Sequence, residues 1–187
     1  DAIKKQLKLK NISVEDIPYI QEGLSIKTGA DTLFSEFLQT GLLYVQTASS
    51  MIPAKVLGPD AGDHVLDMCA APGSKTTHIA ALMGNRGSID AWDVYPHKVK
   101  LIKDNAKRLG ISIIHTEVRD SVKPLPFLYE TYDKVLLDAP CSGLGVLGHK
   151  VELRWRRKES DLSVFPPLQK QLIEQAAKYL SLIHISE

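Results

Sequence analysis

The stretch His64-Val-Leu-Asp-Met-Cys-Ala-Ala-Pro-Gly-Ser-Lys-Thr-Thr77 constrains the fold more than any other part of this chain. A short apolar run closes on Asp67, turns tightly through Ala70-Ala-Pro-Gly73 and enters an amphipathic segment at Lys75. That succession reads as strand, turn and helix start. In open α/β sheets, ligands sit outside the carboxyl ends of the strands, where small residues let the backbone approach and helix N-terminal N–H groups face the ligand. The stretch therefore predicts a nucleotide or nucleoside site.

The alternation continues beyond it. Residues 64–69 read as a first strand and 75–83 as a helix stopped by Gly84; 88–94 read as a second strand and 96–109 as a helix. Pro96 suits the first turn of that helix and Gly110 its end, while Val99, Ile102, Ala106 and Leu109 carry the three-and-four spacing of one buried face. Residues 111–118 form a third strand, and 132–137 a fourth, rich in apolar side chains as a parallel strand covered on both faces should be. Strands joined by helical crossovers predict an α/β fold, a Rossmann-like parallel sheet with helices on both faces.

The flanks are less regular. Ser13 and Asp16 have the spacing of a capping box, predicting a short helix that closes near Gly23, with Pro18 weighing against it. Phe34, Phe37 and Leu38 suggest a helical face, residues 42–45 a short extended run, and Ser49 or Ser50 the cap of a helix through Leu57. Gly58-Pro-Asp-Ala-Gly62 then breaks the chain. Residues 1–45 read as a connector and 46–180 as the core. The last helix, over 169–180, continues from Leu168, which shares one side with Leu172, Ala176 and Leu180. A sheet ending at the fourth strand would leave an apolar edge of unpaired backbone groups. The core is therefore expected to lack its last strands, with 181–187 a short tail after it.

A length of 187 residues suits one domain, and 44% hydrophobic residues suffice for a core. With 23 Lys and Arg against 22 Asp and Glu, the whole-molecule field does not steer a polyanion, so nucleic-acid binding would need a local patch. Cys69 and Cys141 are far apart and lack metal-ligand spacing, which predicts reduced thiols and no metal. No apolar run reaches the roughly 18 residues of a membrane span, and the charged start is unlike a signal peptide, so a cytoplasmic protein without membrane contact is expected.

Two phosphate loops can be tested against the opening stretch. A dinucleotide fingerprint needs three spaced glycines where Gly73 stands alone, and a P-loop needs glycines where Cys69 and Ser74 stand. Neither fits. Asp93 closes the second strand, near the distance after Asp67 at which a carboxylate accepts ribose hydroxyls; read alone, it is equally a solvated loop residue. A cofactor with a ribose and no phosphate satisfies both observations.

Asp67-Met-Cys-Ala-Ala-Pro-Gly-Ser-Lys-Thr-Thr, followed by Asp138-Ala-Pro-Cys-Ser-Gly-Leu-Gly145, resembles the S-adenosylmethionine-dependent RNA cytosine-C5 methyltransferases of the Sun/RsmB/NOP group, closest to the RsmB-type enzymes of small-subunit ribosomal RNA. The segment Gly41-Leu-Leu-Tyr-Val-Gln-Thr-Ala-Ser-Ser-Met51 is similar to the one preceding the core in that family. The resemblance implies a class I methyltransferase fold. It also implies that Cys69, Ala70, Ala71, Pro72, Gly73, Ser74 and Lys75 line the methionine end of S-adenosylmethionine. Asp93 would hold the ribose, Asp120 would lie near the adenine, and Asp138 would face the active site. Taken alone, Asp120 also reads as a loop residue and Lys75 as a solvated first-turn residue.

Cytosine C5 is a poor nucleophile toward a methyl sulfonium, so enzymes of this type first add a cysteine thiolate to C6, making C5 enamine-like; proton loss from C5 later lets the thiol leave. The base must be exposed or flipped out. Asp138 would hydrogen-bond the cytosine, and the proline-fixed turn would aim Cys141 into the cleft. In DNA cytosine methyltransferases a Pro-Cys thiol attacks; in the RNA family this cysteine resembles the one assisting product release, and the attacking thiol belongs to a later Thr-Cys motif. This chain holds only Cys69 and Cys141. It is accordingly expected to be inactive by itself, with a noncatalytic cofactor- or RNA-binding fragment as the alternative and direct DNA methylation through Cys141 as a third reading.

One basic stretch remains, Lys150 to Glu159. Lys150, Arg154, Arg156 and Arg157 are the candidate contacts for RNA, with Trp155 as a stacking surface; a solvated basic face is the equal alternative on residues alone. Its place after the Pro-Cys loop, where members of the family meet substrate, favours RNA, ribosomal RNA first.

Overall fold

Residues 13–28, where the capping-box spacing predicts a short helix, form an antiparallel hairpin in the computed structural model, which describes residues 2–28, 32–143, 155 and 161–181. After α1 (Ala2–Leu9), strand β1 (Ser13–Ile17) pairs with β2 (Ile20–Thr28), Ile17 opposite Ile20, so that Pro18 and Tyr19 make the turn. Proline has no N–H for a ladder, and a turn is where that costs nothing. Period-two alternation decides against the helix: Val14, Leu24 and Ile26 join Leu7, Ile12 and Phe37 in one apolar cluster. Gly23 sits in a tight place, where a Cβ would lie 3.0 Å from Ile20 Cγ2 and 3.1 Å from Ile17 Cδ1 and would press on both side chains.

Helix α2 (Thr32–Gln39) leads to a segment, residues 42–47, that forms no strand where an extended run was expected. Its shape is set by backbone bonds from the N–H groups of Leu42 and Leu43 to Phe37 O, at 3.1 and 3.2 Å. Helix α3 (Ala48–Leu57) is capped by Thr47, ahead of the serines expected to do so; the Thr47 hydroxyl accepts from Ser50 N–H at 3.3 Å.

From here the expected alternation is realised. Strands β3 (His64–Asp67), β4 (Ser88–Asp93), β5 (Ile114–Val118) and β6 (Lys134–Leu136) form one parallel sheet in the order β5-β4-β3-β6. Helices α4 (Ser74–Leu82) and α5 (Pro96–Arg108) are the crossovers, and α6 (Asp161–Tyr179) follows β6. Alternate strand residues face opposite layers. Val65 and Ile89 pack with Ala54, Ile79, Ala80 and Met83 from α3, α4 and the end of α4; Leu66, Met68 and Trp92 pack with Leu172, Ala176 and Tyr179 on the α6 side. Ala91 meets Ile102 of α5.

Three boundaries move. β5 begins at Ile114 and not at residue 111, because Ile111 N–H bonds back to Ala106 O at 2.9 Å and completes the end of α5. β6 is shorter than residues 132–137, and Tyr132 instead bridges in parallel to Leu180, accepting from Ser181 N–H at 2.8 Å. α6 begins at Asp161, well before residue 169, and Leu180 has left it, so Tyr179 closes its buried face. Among the described residues no helix is long and apolar enough to cross a membrane.

The sheet is built outward from β3 in two directions: β4 and β5 on one side, then β6 on the other. The order reverses between β3 and β6. In such sheets the crevice at the reversal, outside the strand C-termini, is where ligands bind.

Candidate active site

All four parallel strands end on the same side, and the segments leaving them are stitched together. Ala70 N–H bonds to Trp92 O at 2.8 Å, Met68 N–H to Leu136 O at 3.0 Å, and Arg119 N–H to Asp93 O at 3.0 Å. The Ser121 hydroxyl, buried, donates to Met68 O at 2.6 Å. The candidate residues Cys69 to Lys75, Asp93, Asp120 and Asp138 are thereby gathered at the carboxyl edge of one sheet.

The turn after β3 is tight. Gly73 N–H bonds to Ala70 O at 2.7 Å, the Ala71–Pro72 peptide is cis, and Gly73 caps α4 at φ +98°. Glycine alone suits this place, since a Cβ would also lie 3.2 Å from Ile102 Cα and Cγ2. Asn105 of α5 donates from Nδ2 to Pro72 O at 3.0 Å. Ser74 and Lys75 then form the first turn of α4.

Lys75 is more than a solvated first-turn residue. Its Nζ lies 2.7 Å from Asp138 Oδ2, joining α4 to the segment leaving β6 across the reversal in strand order. Three residues on, Cys141 is exposed. The turn between them is held from α6, where Gln169 Nε2 donates to Pro140 O at 2.9 Å.

The site is acidic. Asp67 is buried, its Oδ2 accepting from the Thr76 hydroxyl at 2.7 Å and its Oδ1 without a hydrogen-bond partner among the described residues. Burial pushes its carboxyl up to about 6, against the pull of Thr76, the Cys69 amide and Lys75, with the charge of Asp138 adding to the rise. Asp93, also buried, accepts from Tyr95 N–H at 3.1 Å through Oδ1. Asp120 accepts from Val122 N–H at 3.2 Å through Oδ1, and its Oδ2 lies 3.9 Å from Lys123 Nζ. Burial pushes the Cys69 thiol up to about 12, helped by the charges of Asp67, Asp93 and Asp138 and opposed by Lys98. Cys69 is therefore a neutral thiol at physiological pH and not a nucleophile.

Carboxylates at successive strand ends, with one lysine already paired, repel a phosphate and suit a cationic ligand bearing hydroxyls. Lys150, Arg154, Arg156 and Arg157 lie outside the described residues; of that stretch only Trp155 is described, and its ring is exposed. Sequence reasoning missed Asn105, Ser121 and Gln169. An asparagine inside a helix, between the buried Ile102 and Ala106, was the one available signal, because helices disfavour that residue without a specific partner.

Residues 54–182 match the family model described as 16S rRNA methyltransferase RsmB/F. The chain is 39% identical over 173 residues to the probable ribosomal RNA small subunit methyltransferase B of Bacillus subtilis, covering 92% of this chain and 38% of that protein. It is 40% identical over 150 residues to human tRNA (cytosine(72)-C(5))-methyltransferase NSUN6, covering 74% of this chain and 31% of that protein. Among solved structures, NSun6 from Pyrococcus horikoshii with SFG superposes with a TM-score of 0.69 at 32% identity, covering 84% of this chain and 42% of that one. The chain thus spans well under half the length of each.

Proposed function

Since the chain belongs to the RsmB/F family of 16S rRNA methyltransferases, we propose that it forms the donor-binding core of an enzyme that methylates C5 of a cytosine in RNA, with small-subunit ribosomal RNA as the substrate. Methyltransferases of this family take the methyl group from S-adenosylmethionine. The residues suit that donor, which is phosphate-free and carries a sulfonium, an ammonium and two ribose hydroxyls. Acidic strand ends complement its positive charge, and Asp93, with one carboxylate oxygen taken by Tyr95 N–H, can accept from the ribose through the other. The donor supplies an electrophilic methyl group when bound.

The chain's own residues do the rest. Cys69 to Lys75 wrap the methionine end without competing for the methyl group, because the Cys69 thiol stays protonated. Asp120 borders the adenine. Asp138, oriented by Lys75, hydrogen-bonds the cytosine edge, and Cys141 assists release of the methylated product. The basic residues Lys150, Arg154, Arg156 and Arg157 hold RNA phosphates beside the cleft.

The observation that carries this reading is the Lys75–Asp138 contact, which brings the donor turn and the Asp138-Ala-Pro-Cys141 motif into one crevice. The test is to map 5-methylcytosine in ribosomal RNA from cells lacking the gene. Loss of one small-subunit cytosine methylation, restored by the wild-type gene and not by Asp138→Asn, is expected. An unchanged ribosomal RNA pattern with loss at a transfer RNA cytosine would move the substrate; no loss in any RNA would overturn the reading.

A further inference from the structure

Helix α5 reaches the donor turn from outside the sheet crevice, and it does so with a polar side chain in a helix interior. Asn105 Nδ2 donates to Pro72 O at 3.0 Å, while its Oδ1 accepts from Arg108 Nη2 at 3.2 Å. The second bond fixes which way the amide faces. Arg108 in turn donates through Nη1 to Leu38 O at 2.5 Å and to Leu43 O at 3.3 Å, with the Tyr44 ring 5.6 Å from its Cζ.

The same segment touches α5 by backbone. Gly41 lies against the helix end so closely that a Cβ would stand 1.8 Å from Arg108 O. At the opposite end of the line, Gly73 rests on Ile102, one helical turn before Asn105. Residues 38–44, Arg108, Asn105 and the Pro72–Gly73 turn therefore form one continuous run of contacts, ending at the cap of α4 from which Lys75 projects.

We infer that Asn105 and Arg108 are positioning residues: they tie the donor turn to the 38–44 segment, so that affinity for S-adenosylmethionine depends on how that segment is seated against α5. The inference rests on the proposal that this turn takes the donor. Neither side chain need touch the ligand. Asn105 holds the last carbonyl before the helix cap, and Arg108 holds Asn105.

The experiment measures S-adenosylmethionine binding to the 187-residue chain by calorimetry, together with the thermal midpoint of the ligand-free chain. Asn105→Asp retains the acceptor for Arg108 but replaces the donor to Pro72 O with a repelling oxygen, and about tenfold weaker binding is expected. Arg108→Lys keeps the charge but loses the fork that reaches both Asn105 and the two carbonyls, and about threefold weaker binding is expected. Because both act along one line, the double variant should bind no more than about twofold more weakly than Asn105→Asp alone. Lys107→Ala, on the exposed face of α5, should change neither readout. A purely structural role predicts lower midpoints with affinities within twofold of wild type, and that result, or fully multiplicative losses in the double variant, overturns the inference. Absence of binding by the wild-type chain would instead overturn the donor reading on which it stands.

Discussion

Lys75 Nζ and Asp138 Oδ2 stand 2.7 Å apart, and this contact joins the first turn of α4 to the segment leaving β6. Asp138 is more than half exposed, so the pair adds little to stability, about 1 kcal/mol or less. Its value lies in orientation. Lys75→Met should leave the urea midpoint of the chain nearly unchanged while, on the proposed function, lowering turnover of the full enzyme on the order of 100-fold, because the carboxylate proposed to meet the base is no longer held. Turnover within a few-fold of wild type would show that Asp138 needs no such partner.

The two thiols should differ sharply in reactivity. Cys141 is exposed, whereas Cys69 is partly buried among three carboxylates that, with burial, push its pKa up to about 12. At pH 8 iodoacetamide should modify Cys141 first, and Cys141→Ser should abolish the fast phase seen by intact mass. Comparable labelling of both cysteines would contradict the partly buried, neutral state assigned to Cys69.

The gathering of candidate residues at the carboxyl edge of the sheet was legible in the sequence because they are local: the Asp67-to-Lys75 turn and the Asp138-to-Cys141 motif each carry strand end and turn within a few positions. The parallel sheet was legible for the same reason, through alternating apolar runs and crossover lengths. The hairpin was not. Ser13 and Asp16 mimic a helix cap, and only the apolar neighbours Leu7 and Phe37, brought by α1 and α2, decide which face Val14, Leu24 and Ile26 must share. Asn105, Ser121 and Gln169 act on carbonyls at least 29 residues away, contacts that exist only once the sheet has formed. The basic stretch around Arg156 lies outside the described residues and stays a proposal.

Asp67 sets a pH dependence opposite to that of an ordinary paired carboxylate. Its folded pKa, about 6, lies above the usual 3.8, so the folded chain keeps a proton that the unfolded chain releases. The stability it contributes is fully present below about pH 4 and is lost as pH rises through about 6, by an amount of a few kcal/mol at most. Asp67→Asn can still accept from the Thr76 hydroxyl and carries no charge. Urea midpoints measured from pH 4 to 7 should show wild type losing stability relative to Asp67→Asn across that window. A constant difference between the two would exclude a raised Asp67 pKa.

His78, buried on α4, bonds through Nε2 to Glu22 Oε1 of the hairpin at 2.7 Å, and Lys55 Nζ of α3 lies 3.3 Å from Glu22 Oε2. One carboxylate thus fastens β2 to two core helices. Burial alone would raise the pKa of Glu22, but the bonds from His78, its own backbone and Lys55, with the Lys55 charge, together hold it below the usual carboxylate value. The sign is therefore the ordinary one: the contribution is present above the unfolded pKa and lost as pH falls through the folded one. Glu22→Ala should cost about 1–2 kcal/mol, since it removes the acceptor from a buried imidazole. The cost should be local. Amide exchange should quicken in β1 and β2 while β3 and β4 keep their protection, because the parallel sheet packs through its own apolar clusters. Equal acceleration in both sheets would mean that the hairpin and the core unfold as one unit and that Glu22 is not the tie between them.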